Sequence, residues 1–151
     1  MNTPAPATDL RLIVGYDGSP PASRALQAAA NLLQGRNGRI ELVYVAHMPG
    51  MAALSPDAVA QIETGFDDVE QELRTMAAEQ LSGHDADWGF ERRQGLIAEE
   101  LIAAARDIGA QHPHATLVIV VGSSSQVAHR VVGSAAVSLA RHSPVPLIVV
   151  P

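Results

Sequence analysis

The run TLVIVVGSSSQVAHRVVGSAAVSLARHSPVPLIVV, residues 116–150, decides the fold. Thr116 to Val121 is an uninterrupted apolar segment of the kind buried on both faces of a parallel sheet. A loop rich in glycine and serine follows, then a helix from Gly133 to Arg141 that Ser143-Pro144 stops, then a second apolar strand from Pro146 to Val150. Parallel neighbours cannot be joined by a tight turn, so this helix must cross over the sheet.

The alternation continues upstream. Leu10 to Tyr16 (LRLIVGY) reads as a short buried strand, broken by Asp17-Gly18-Ser19-Pro20-Pro21, with Ser19 as N-cap and Pro20 at the first helical position. The helix from Ala22 to Leu33 places Ala22, Ala25, Leu26, Ala29 and Leu33 on one face, and Gly35 is positioned to end it. Ile40 to Ala46 (IELVYVA) is the next strand, bounded by Gly38 and Pro49-Gly50.

Ser55-Pro56-Asp57 repeats the capping signal and opens a helix with one apolar stripe: Val59, Ile62, Phe66, Val69, Leu73 and Met76. Its other face carries Glu63, Asp67, Asp68, Glu70, Glu72 and Glu79, which read most simply as a solvated surface. Trp88 to Gln94 alternates apolar with polar residues, the pattern of an edge strand with one wet face. Ile97, Leu101, Ile102, Ala105 and Ile108 mark a helix ending at Gly109, followed by a turn at Gln111-His112-Pro113-His114.

Five strands alternating with four helices predict an α/β protein: an open, doubly wound, parallel five-stranded sheet with right-handed crossovers and helices on both faces. A flexible leader is expected over residues 1–8 and one domain over residues 9–151, with no internal repeat.

Composition narrows the partners. The formal net charge is −6, the ten cationic residues are all arginine, and only Arg92-Arg93 are adjacent, so the concentrated positive surface of a nucleic-acid binder is absent from the sequence. There is no cysteine, no apolar run of membrane-spanning length, and no signal-like pattern in MNTPAPATDL. A soluble cytoplasmic protein is the expectation, with neither nucleic acid nor membrane as partner.

Ligands of open α/β sheets lie beyond the carboxyl ends of the strands. The segments able to reach that edge are Gly15 to Pro20, Ala46 to Pro49, Gly95 to Ile97 and Gly122 to Ser134. The last is the strongest: Gly133-Ser134 would offer amides and a hydroxyl at a helix N-terminus, with Gly122-Ser123 as the facing lip. These residues alone leave a phosphate site and an ordinary turn both open. Asp17 is similarly double, able to accept from a ribose or an adenine amine, or to hold the Asp-Gly-Ser turn.

Catalytic constellations are lacking. Six histidines are present, and none pairs with a nucleophile or forms a ligand cluster. A P-loop needs Gly-Lys-Ser/Thr and a phosphoacceptor receiver needs a lysine after its last strand, whereas this chain contains no lysine.

The stretch Val14-Gly15-Tyr16-Asp17-Gly18-Ser19, the Val43-Tyr44-Val45 strand, Gly95 before the third helix, VIVVGSSS at 118–125 and GSAAVSLARHSPVPLIVVP at 133–151 together resemble the universal stress protein family, from Leu10 to Pro151. The resemblance implies strand order 3-2-1-4-5, a homodimer and, in one branch, ATP held by a Gly-x2-Gly-x9-Gly-Ser/Thr loop. By position it implies that Asp17 meets the adenosine, Val45 offers backbone contacts to adenine, and Gly122, Gly133 and Ser134 hold phosphates and ribose.

The sequence departs from that pattern twice. Ser125 stands at the second glycine, and seven residues, Gln126 to Val132, separate it from Gly133 where the ATP-binding branch has nine. A residue with a Cβ adopts positive φ only at about 1 kcal/mol or more. Ser123, Ser124 and Ser125 could supply substitute donors, as could Arg130, which reads equally as a solvated loop charge.

The expectation is a non-enzymatic stress-response module, dimeric through Val145 to Val150. It would bind ATP or AMP with a weakened triphosphate grip and need Mg only alongside ATP. The alternative is a family member that binds no ATP and acts as a dimeric protein-interaction module.

Overall fold

The computed structural model describes residues 8–47, 54–123 and 133–151. Its elements, in chain order, are β1 (Leu10–Gly15), α1 (Pro20–Leu33), β2 (Gly38–Ala46), α2 (Pro56–Leu81), β3 (Asp87–Gln94), α3 (Ile97–Gln111), β4 (Thr116–Gly122), α4 (Ser134–His142) and β5 (Leu147–Val150). The strands form one sheet, ordered β3-β2-β1-β4-β5, and every neighbouring pair is parallel. This is the expected doubly wound architecture. The expected leader falls almost wholly outside the described residues.

The two-residue period of the strands sorts the core into two layers. Leu12 and Val14 of β1, Ile40 and Leu42 of β2 and Val120 of β4 pack against Leu26, Ala29 and Leu33 of α1 and Leu73, Ala77 and Leu81 of α2. Ile13, Val43, Ile119 and Val121 point the other way, onto Leu101, Ile102 and Ala105 of α3 and Ala136 and Leu139 of α4. Burial on both sides is why the central strands read as unbroken apolar runs.

Local signals act as expected at two helix starts. Ser19 Oγ accepts from the Ala22 amide and Ser55 Oγ from the Ala58 amide, each at 3.3 Å, with proline in the first helical turn. Helix α1 opens at Pro20, two residues before the apolar periodicity begins. Strand β2 opens at Gly38, which pairs with Leu10.

Three expectations are corrected. The apolar stripe of α2 is buried only at Leu73, which continues through Ala77 and Leu81, while Val69 and Met76 are 39% and 38% exposed. A helix of 26 residues is about 39 Å long and the nine-residue β2 about 30 Å, so α2 outruns the strand before it by about 9 Å, roughly six residues.

The acidic face of α2 is not wholly solvated. Arg92 of β3 lies within 4 Å of Glu63, Asp67 and Glu70, and Arg74 pairs with Glu70 while donating to the Phe90 carbonyl at 3.0 Å. These carboxylates fasten the helix to the edge strand.

Helix α3 runs through Gly109 to Gln111. Gly109 supplies no stop because it keeps helical backbone and is not among the glycines with positive φ. Pro113 ends the helix by excluding its predecessor from the α region, and His112 has φ −129° and ψ 69°.

The end of β4 presses on the start of α1. A Cβ added to Gly122 would lie 2.0 Å from the Pro21 carbonyl oxygen and 2.8 Å from its Cα, so backbone meets backbone with no room for a side chain. Gly122→Ala should lower the unfolding free energy by about 1–3 kcal/mol, read as a fall in the urea midpoint at unchanged m-value. Gly65→Ala, at an open position inside α2, should instead raise it by up to about 1 kcal/mol.

Candidate functional site

Strand order reverses between β1 and β4: the crossover through α1 leads from β1 to β2, and β4 pairs on the opposite side of β1. At that reversal a cleft of about 240 Å³ opens beyond the carboxyl ends of the strands. Val43, Val45, Val121 and Leu101 make its apolar walls, Asp17 and Ser19 one polar side, and Gly122 and Gly133 the opposite rim.

Asp17 is exposed at the cleft, where its Oδ1 accepts from the Ser19 amide at 3.0 Å. That bond is the Asp-Gly-Ser turn anticipated from the sequence, and Gly18 completes it at φ +75°. The turn occupies one carboxylate oxygen. Oδ2 has no hydrogen-bond partner among the described residues, so Asp17 can hold the turn and still accept from a ligand.

Val45 contributes through its position in the register. Val43, opposite Gly15, gives its carbonyl to the Tyr16 amide at 2.9 Å. Val45 is two residues further along, so its backbone groups point to the same side, where β1 has already ended. An edge left open in this way can meet the donor and acceptor pattern of a planar base.

On the opposite rim, Gly133 is the N-cap of α4, and the first intrahelical bond runs from the Val137 amide to the Gly133 carbonyl at 3.1 Å. The amides of Ser134, Ala135 and Ala136 precede it in the first turn and have no intrahelical partner, and Ala135 and Ala136 line the cleft. Ser134 is exposed beside them.

Gly122 and Ser123 serve differently from one another. Gly122 lines the cleft but is a glycine because Pro21 fills the space beside it. The Ser123 amide is committed to the Val150 carbonyl at 2.7 Å, leaving its hydroxyl as the group it can offer. Ser125 and Arg130 lie outside the described residues.

The remaining walls were not singled out in the sequence. Val43, Leu101 and Val121 have the ordinary signature of core residues, and only their places at the ends of their elements make them a lining. Ile97, 49% exposed at the start of α3, is the one whose exposure sets it apart. Tyr16 stands below the Asp17 turn, buried, and burial followed by the nearby Asp17 charge raises its phenol above the usual range. It is therefore a neutral wall at physiological pH. Among the described residues lining the cleft, Asp17 carries the only charge, and no group of three or more His, Asp or Glu side chains could hold a metal.

The family model of the universal stress protein family matches residues 10–151. No curated protein matches the chain significantly. Among solved structures, a universal stress protein family member from Burkholderia pseudomallei is 26% identical, with 93% of this chain and 95% of that one covered, at a TM-score of 0.64. A universal stress protein in complex with cAMP is 20% identical over 94% of this chain and 97% of that one, at 0.66. Another, from Archaeoglobus fulgidus in complex with dAMP, is 16% identical over 94% and 98%, at 0.59. The five-stranded order β3-β2-β1-β4-β5, the cleft at its reversal point and the match over all but the first nine residues place this chain in the universal stress protein family.

Proposed function

We propose that the protein is a cytoplasmic, non-enzymatic regulatory module that binds an adenine nucleotide in the cleft between β1 and β4 and favours AMP over ATP. The observation that carries this reading is the convergence of Asp17, Val45, Gly122 and Gly133 on one cleft, although they come from four separate segments. The apolar slot between Val43, Val45 and Leu101 suits a base, Asp17 a ribose hydroxyl, and the first turn of α4 a phosphate. Complexes of similar folds with cAMP and dAMP agree with a monophosphate-sized ligand.

Preference for AMP follows from charge. One helix N-terminus contributes about 0.3–1 kcal/mol to a nearby anion, which suits one phosphate better than three. Ser125 and the shortened loop remove part of the cradle that the ATP-binding branch uses, and Arg130 is left as its one cation. Metal would enter only with ATP.

Calorimetric titration tests the reading. AMP should bind at least about tenfold more tightly than ATP, a difference of about 1.4 kcal/mol. Asp17→Ala should weaken AMP by about tenfold or more through loss of a charge-assisted hydrogen bond. No heat or competition at millimolar AMP would overturn the proposal. The second reading, an interaction module without nucleotide, is favoured by the commitment of the Ser123 amide to Val150, which takes one donor from the phosphate rim.

Either reading includes a homodimer. Strand β5 is an edge of the sheet, Leu147–Val150 are all apolar and only partly buried, and such an edge pairs readily with another chain. Two-fold pairing across Val145 to Val150 is expected to give twice the monomer mass in light scattering. A monomer at every protein concentration would exclude it.

A further inference from the structure

Gly122 and Ser123 leave β4 between the first turns of α1 and the end of β5, and one side chain ties the three together. Arg24 of α1 donates from Nη2 to the Ser123 carbonyl at 3.1 Å and from Nε to the Pro151 carbonyl at 3.0 Å. The Ser123 amide donates to the Val150 carbonyl at 2.7 Å. One turn earlier on the same helix face, Pro21 sits against Gly122.

Arg11, Arg39, Arg74, Arg92 and Arg93 pair with side-chain carboxylates, whereas among the described residues Arg24 has no acidic side-chain partner. Its planar fork instead bridges two main-chain oxygens at the ends of adjacent strands, 99 and 127 residues away along the chain. A guanidinium can satisfy both at fixed spacing, which a single ammonium cannot.

We propose that Arg24 is a positioning residue for the phosphate rim of the cleft, a role that rests on the nucleotide reading above. With the Ser123 amide held by β5 and its carbonyl held by Arg24, the peptide planes on both sides of Ser123 are fixed. The Ser123 hydroxyl, without a partner among the described residues, is thereby carried on an anchored main chain directly after Gly122, which lines the cleft. The group recognised is the phosphate of a nucleoside monophosphate. The base and ribose contacts on the β1 side do not depend on Arg24.

Adenosine and AMP differ only by that phosphate, so their affinities separate a rim effect from a general loss of structure. In Arg24→Ala, AMP binding should weaken about three- to tenfold, the worth of one positioned hydrogen bond, while adenosine stays within about twofold of wild type. Arg24→Lys keeps the charge but not the fork and should behave like Arg24→Ala; full retention of AMP affinity in the lysine variant would make Arg24 a charge and overturn positioning.

Hydrogen exchange supplies a readout independent of ligand: the Ser123 amide should exchange faster in Arg24→Ala, and the Val120 amide should not. Parallel losses for AMP and adenosine, or an unchanged Ser123 exchange rate, would overturn the role of Arg24. A wild-type protein that binds neither ligand would instead overturn the nucleotide reading itself.

Discussion

Parallel pairing of β1 with β4, Leu10 to Val14 against Thr116 to Val120, is the constraint from which the rest of the molecule follows. These two strands contribute Leu12, Ile13, Val14, Ile119 and Val120, all 1% exposed or less, and both faces of the pair are covered. Parallel strands buried on both faces demand helical crossovers, and right-handed crossovers running in opposite directions from this pair put α1 and α2 on one side and α3 and α4 on the other. The chains leaving β1 and β4 must then diverge. The cleft is the space that divergence leaves, so the site is a by-product of the topology before any residue in it is chosen for chemistry.

Glycine at the end of β4 illustrates how a packing demand and a binding demand coincide. Read as sequence, Gly122 suggests backbone opened toward an anion; in the structure its missing Cβ is required by the Pro21 carbonyl, 2.0 Å from where that carbon would be. The two roles are linked through α1. Pressing Gly122 against Pro21 brings Arg24, one turn on, within reach of the Ser123 carbonyl and of the C-terminal end of β5. Steric fit on one turn thus sets the hydrogen bonds on the next. The same contacts join the rim of the cleft to the edge strand proposed to meet a second copy.

What could be read from the sequence was whatever a local rule determines. Thr116 to Val121 was identifiable as a buried parallel strand from its unbroken apolar run, and the starts of α1 and α2 from Ser19 and Ser55 before proline. Reading failed where distant partners decide. Glu63, Asp67 and Glu70 look like a solvated face until β3 brings Arg92 beneath them, and Val69 looks like core yet is 39% exposed. Gly109 resembles a helix stop, yet the turn belongs to Pro113. In the site, Asp17 and Gly133 carried recognisable signals, whereas Arg24 carried none, because both its acceptors are main-chain oxygens that any residue would supply.

The electrostatics of the cleft bear on which anion it can accept. Asp17 brings a negative charge to one side, and the α4 N-terminus brings a fractional positive charge to the other, which makes the cleft a dipolar slot rather than a basic one. A ligand that fits must itself be polarised: hydroxyl donors at the Asp17 end, one anionic group at the α4 end, and an apolar body between them. A nucleoside monophosphate has that distribution. A triphosphate carries two further anionic groups and would need cations that the described cleft walls do not supply. On the proposed nucleotide reading, the Asp17 carboxylate and the short reach of one helix dipole together would favour low ligand charge. On that reading, the balance of charge across the cleft, more than its shape, would set which ligand it takes.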